Sequence, residues 1–146
     1  MLTVRDSVHI AASPEEVFTF LDAPARQPSF TPSLTKSHLI ERLPNGGARA
    51  GYVFTIWGID FEGEVRATDY EPPSRIVWAM TGDLTGTIRW YLAPEDSGTR
   101  FTFAATYQVP GPSVLRSLTT PFIRRYNKQE VVTLLGALKG RVESAR

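Results

Sequence analysis

The stretch from Thr120 to Arg146 constrains the fold more than any other part of the chain. Val131, Leu134, Leu135, Leu138 and Val142 recur at intervals of three and four, which places them on one face of an α-helix. Phe122, Tyr126 and then Val132 read as a second, more aromatic row beside it. Thr120 followed by Pro121 is a start signal. A threonine hydroxyl accepts from the first-turn amides, and proline at the first helical position has no N–H to lose. From Pro121 to Ser144 is about 24 residues, or roughly 36 Å of helix at 1.5 Å per residue. A helix that long with one apolar face needs a broad apolar partner, and the rest of the chain offers strands.

Thr3 to Ile10 alternates, with Val4, Asp6, Val8 and Ile10 on one side and Arg5, Ser7 and His9 on the other. Ser13-Pro14-Glu15-Glu16 is a capping box with proline at the first helical position, so a short helix should run to about Leu21 with Val17, Phe18 and Leu21 inward. Pro24, Pro28 and Pro32 break the next stretch into a second short helix near Ala25 to Gln27 and an irregular bend carrying Phe30. Strands are then expected over Ser37–Leu43, Arg49–Trp57, Asp60–Tyr70, Arg75–Thr81, Gly86–Leu92 and Thr99–Val109, separated by turns such as Pro44-Asn45-Gly46-Gly47 and Glu71-Pro72-Pro73-Ser74. The alternation is sharpest in the third of these. There Phe61, Gly63, Val65 and Ala67 oppose Asp60, Glu62, Glu64 and Arg66, as in a sheet covered on one face only. Val109-Pro110-Gly111-Pro112 and Ser113 to Leu118 read as a short capped helix or lid, hinged at Gly111.

At 146 residues the chain reads as a single domain over 1–146, able to bury about two-thirds of its unfolded surface. A net charge of +1 without runs of like charge gives no footprint for nucleic acid. The absence of cysteine excludes disulfides and thiol chemistry. Charge appears early in Met1-Leu2-Thr3-Val4-Arg5-Asp6, against a signal peptide, and no run approaches the roughly 18 apolar residues of a membrane span. A cytoplasmic protein with no stable membrane insertion is the expectation. Its state as monomer or dimer is left open.

Strand, two short helices, strands joined by tight turns and one long helix describe an α+β domain with an antiparallel sheet of about seven strands. A meander that wide must curl, and a curled sheet cradles a diagonal helix. Val8 to Leu21, Ser97 to Tyr107 and the helix ending in Leu138, Lys139, Val142 and Glu143 together resemble the helix-grip fold of the START-like superfamily. That superfamily includes polyketide cyclase/dehydratase-like (SRPBCC) proteins, lipid-transfer proteins and the major birch-pollen allergen. The loop at Asn45-Gly46-Gly47 is shorter than the glycine-rich loop of the allergen-type members.

The resemblance implies a tunnel between sheet and helix that holds a hydrophobic or amphipathic, lipid- or polyketide-like molecule. Combined with strand parity, it points to Tyr52, Phe54, Phe61, Trp78, Trp90, Phe103, Tyr107, Phe122 and Tyr126 as tunnel residues. Each aromatic serves equally as core packing, and each tyrosine hydroxyl either orients a ligand or bonds the backbone. His9 and His38 are expected at the surface, and no His pair has metal-ligand spacing, so neither metal nor cofactor is implied. Asp6 shares parity with Val4 and Val8, which makes it a candidate acid near an open end. Arg124, Arg125 and Lys128, with Arg116, form either a solvated helix face or a basic rim at the tunnel mouth. Three functions fit: a carrier without chemistry, a cyclase or dehydratase using a tunnel tyrosine or Asp6, and a protein-interaction or assembly module.

Overall fold

The structure, a computed structural model, describes residues 2–56, 58–108 and 113–145, the side chains of residue 2 and of residues 113–123 excepted. Strand β1 (Leu2–Ile10) leads into helix α1 (Pro14–Leu21) and a 3₁₀ segment (Pro24–Ser29). Six strands come next: β2 (Leu34–Arg42), β3 (Ala48–Ile56), β4 (Ile59–Glu71), β5 (Arg75–Gly82), β6 (Thr85–Glu95) and β7 (Gly98–Gln108). Helix α2 (Ser113–Ser144) closes the chain. The strands form one seven-stranded antiparallel sheet in the order β1-β7-β6-β5-β4-β3-β2, a meander from β2 to β7 with β1 returned against β7. The fold is α+β, a helix grip.

Local chemistry explains the joints. The Ser13 Oγ accepts from the Glu16 amide (3.2 Å) with Pro14 behind it, so α1 starts where the capping box requires. Asp96 and Ser97 both carry positive φ (45° and 63°), the backbone that matches a two-residue turn to the twist of β6 and β7. The inward faces follow period-two alternation: Ile76, Trp78 and Met80 on β5, Trp90 and Leu92 on β6, and Phe101, Phe103 and Ala105 on β7 are all buried. In β4 the alternation holds to Ala67. A register shift between Ala67 and Asp69 then resets parity, and Tyr70 turns inward against Phe18.

Helix α2 differs from expectation at its start. It begins at Ser113 and runs through Pro121, so Ser113 to Leu118 is the first part of one 32-residue helix, about 48 Å long. Proline removes one backbone hydrogen bond, a loss that helix on both sides can absorb. A Thr-Pro pair reads the same at a helix start as inside one. The hinge expected at Gly111 lies outside the described residues. Val132, expected beside Tyr126, is 47% exposed, because six residues along a helix are far from a whole number of turns. Among the described residues no helix is long and apolar enough to cross a membrane.

The C-terminal half of α2 is fixed. Val131, Leu134, Leu135, Leu138 and Val142 are buried in the main core with Ile10, Phe101, Val17 and Leu21. At the end of β1 the Lys139 Nζ donates to the His9 carbonyl (2.9 Å), and the Ala11 amide donates to the Glu143 carboxylate (2.8 Å). Lys139 and Glu143 also pair with each other, at 2.6 Å. Leu138→Ala, at a side chain with 0% exposure, is expected to lower stability by about 2–5 kcal/mol. Urea unfolding followed by circular dichroism measures it.

Candidate ligand cavity

Helix α2 comes closest to β1 and α1. Farther across the sheet a cavity of about 110 Å³ remains beneath the helix. Period-two alternation builds its apolar wall, with Leu34 from β2, Phe54 and Ile56 from β3, Met80 from β5, Leu84 from the turn after it, Ile88 and Trp90 from β6, and Phe103 and Ala105 from β7. Val131 and Leu134 close it from α2. Gln27, Thr31, Ser33, Tyr107, Tyr126, Asn127 and Glu130 supply the polar part of the wall. Wider clefts of about 360 and 490 Å³ open on the surface around Phe20 and Arg26. They enclose nothing, so the cavity under α2 is the better candidate for an apolar molecule.

Of the residues expected in the tunnel, Phe54, Trp90, Phe103, Tyr107 and Tyr126 line this cavity. Tyr52, Phe61 and Trp78 do not. Trp78 is a core residue packed edge-to-face on Trp90, with ring centroids 5.4 Å apart. Phe61 packs on a smaller buried cluster of Leu34, Tyr52, Met80 and Leu84. The Tyr52 hydroxyl accepts from the Leu84 amide (3.1 Å) and reaches the Thr81 and Leu84 carbonyls (3.0 and 3.1 Å). Gly63 makes room for it: a Cβ there would stand 2.5 Å from the Tyr52 hydroxyl oxygen. The side chain of Phe122 lies outside the described residues.

Ser33 organises the polar wall. Its amide donates to the Glu130 Oε1 (2.6 Å), its hydroxyl is hydrogen-bonded to that of Tyr126, and its carbonyl accepts from the Thr55 amide (2.8 Å). The Tyr107 hydroxyl has no hydrogen-bond partner among the described residues. Burial pushes its pKa up, and the charge of Glu130 and the proximity of Tyr126 push the same way. The phenol therefore stays protonated. Two buried donors on cavity-lining residues, the Trp90 Nε1 and the Gln27 Nε2, have no hydrogen-bond partner among the described residues, and neither does the Trp78 Nε1.

The other candidate acids and bases lie elsewhere. Asp6 is exposed, with its carboxylate accepting from the neighbouring Ser7 amide (2.8 Å), so parity with Val4 does not bring it into the cavity. His9 pairs with Glu95 (2.8 Å), whose carboxyl is held below its ordinary range by Arg100 first and His9 second. His38 is exposed over Gly51. Arg124, Arg125 and Lys128 are exposed, and none of them lines the cavity. Sequence reasoning missed Gln27, Ser33 and Glu130. Helical spacing gave a usable signal for one of them, since Glu130 stands four residues before Leu134.

The family described as polyketide cyclase/dehydrase and lipid transport matches residues 1–143. The chain belongs to that family. Solved structures agree in fold. A protein from Thermus thermophilus superposes with a TM-score of 0.87 at 21% identity, covering 98% of both chains. A START superfamily protein from Mycobacterium smegmatis gives 0.79 at 18%, covering 99% of both. The Zhui aromatase/cyclase from Streptomyces sp. R1128 gives 0.82 at 14%, covering 97% of this chain and 93% of its own. A search of curated proteins gives no match. In this family member the sheet faces and α2 enclose the cavity, and identities this low establish the fold alone.

The phenols yield a pH prediction. Burial raises the pKa of Tyr52 and Tyr107, and burial with the Asp22 carboxylate, 2.5 Å away, takes Tyr70 to about 12. Above about pH 10 the unfolded chain loses phenolic protons that the folded chain keeps. Stability is therefore whole below pH 10 and falls as pH rises from there to 12. Urea midpoints at pH 9 and 11 should show the drop, and Tyr70→Phe should shrink it.

Proposed function

We propose that the chain binds a small hydrophobic or amphipathic molecule between its sheet and α2. The supporting observation is the cavity itself, an apolar enclosure with its polar groups confined to a few side chains, which is the composition of small-molecule sites. Volume bounds the occupant. An apolar cavity of roughly 150 Å³ takes benzene, so about 110 Å³ suits one ring with slight give in the wall. Met80, a flexible thioether side chain in that wall, is suited to supply it. The family description, which joins cyclase and lipid-transport proteins, agrees with an enclosed apolar ligand.

A cyclase-like reaction is the second reading, favoured by the carboxylate of Glu130 on the same wall as the phenols of Tyr107 and Tyr126. Chemistry ranks it below binding. A general acid works best with a pKa near the operating pH, and burial moves Tyr107 away from it.

Ala105 is 3% exposed and borders the cavity. Ala105→Leu is expected to fill the void and abolish binding of ring-sized probes such as benzyl alcohol. Stability should stay within about 1.5 kcal/mol of the parent, since the added carbons enter empty space. Titrations followed by ¹H–¹⁵N correlation spectra, with the Trp90 indole as reporter, test both halves. Parent and variant binding equally would remove the cavity as the site.

A further inference from the structure

Among the described residues that wall the cavity, Glu130 alone carries a charge, and it is negative. One of its oxygens accepts the Ser33 amide, and the carboxylate takes no other hydrogen bond from a described residue. The neighbouring cations Arg124, Arg125 and Lys128 are exposed and none forms an ion pair with Glu130 among the described residues, so water screens their charge. The Tyr107 phenol adds a neutral O–H without a described partner, and the rest of the lining is apolar or carries neutral dipoles. A carboxylate in such a wall is weakly screened. It repels an incoming anion far more than it would in water, and its unfilled acceptor positions favour a hydrogen-bond donor.

We infer that Glu130 sets the head-group specificity of this cavity, admitting ligands whose polar end donates a hydrogen bond without negative charge, a hydroxyl or a protonated amine, and refusing carboxylates. The inference rests on the cavity being a binding site and goes further, because a cavity defined by volume and apolar wall alone would not distinguish an alcohol from an acid. Free fatty acids and aromatic acids are then poor ligands in their ionised form. Alcohols, phenols and amines of the same skeleton are good ones. Glu130 acts at the ligand's polar end, and its bond to the Ser33 amide holds it in place.

The test is a series of similar size: ethylbenzene, benzyl alcohol, benzylammonium and benzoate, each titrated at pH 7 into the ¹⁵N-labelled protein. Benzyl alcohol and benzylammonium should both bind. Benzoate should bind about tenfold more weakly or worse. Glu130→Gln keeps the shape and an acceptor for the Ser33 amide while removing the charge. It should narrow the gap between alcohol and benzoate to about threefold and weaken benzylammonium. Benzoate matching benzyl alcohol in the parent, or a gap that Glu130→Gln leaves unchanged, overturns the inference. Ethylbenzene binding as well as the donors leaves the cavity a binding site and removes the role given to Glu130. If none of the four moves the Trp90 indole signal, the binding reading itself falls and this inference with it.

Discussion

The structure depends on the clamp between the C-terminal half of α2 and the end of β1. Five apolar side chains from Val131 to Val142 are sunk in the core, and two ionic side chains finish the contact. Lys139 and Glu143 do more than pair with each other. They serve the carbonyl of His9 and the amide of Ala11, backbone groups at the point where β1 leaves the sheet. A backbone amide leaving its ladder needs a partner, and the helix supplies one. With that end fixed, a stiff helix leads away over a twisted sheet that cannot follow it. The cavity under Tyr126 to Leu134 is the geometric remainder.

That remainder is not lined at random. Ser33 sits in the proline-rich bend before β2, almost wholly buried, with its amide, hydroxyl and carbonyl all engaged. Through it the bend is tied to α2 on one side and β3 on the other, which holds the polar wall in one arrangement. The Trp90 Nε1 and the Gln27 Nε2, on cavity-lining residues, are buried with no hydrogen-bond partner among the described residues, as is the Trp78 Nε1 in the adjoining core. A fold selected for stability alone would have filled the void. A void with an apolar wall and a few confined polar groups has the composition of small-molecule sites.

Most of the fold was legible because its signals are periodic. The sheet is covered on one face, so alternation in β4 as far as Ala67 identified the inward side chains directly. The apolar stripe from Val131 to Val142 did the same for α2. The departures have separate physical causes. A bulge between Ala67 and Asp69 turned Tyr70 inward, and nothing in the residue types marks an inserted residue. Thr120-Pro121 mimicked a helix start within a longer helix. Val132 was taken for the apolar neighbour of Tyr126 when spacing assigns that place to Glu130, so hydrophobicity was followed where angle should have decided. The site was less legible than the core. Tyr52 and Tyr107 share strand parity and chemistry, yet Tyr52 is locked into the Leu84 turn and Tyr107 is not. That difference depends on the turn's backbone, which no side-chain pattern encodes. Gln27 and Ser33 lie in an aperiodic segment where spacing carries no information.

The size of the cavity turns these observations into a mechanical argument. Drug-sized ligands occupy roughly 300–1,000 Å³, well above the about 110 Å³ under α2. Any larger occupant must push the wall outward, and the surroundings of the cavity do not yield alike. Ile10, Phe101 and Leu138 at the clamped end have no exposure at all, so movement there would open the main core. The opposite wall is built from Met80 and Leu84 beside the β5–β6 turn, backed by a satellite cluster of Leu34, Tyr52, Met80 and Leu84. Tyr52 pins that turn through its bonds to Thr81 and Leu84. The Tyr52 hydroxyl, which lies outside the cavity, therefore holds in place the turn that carries Leu84, and Tyr52 shapes the cavity wall without lining it.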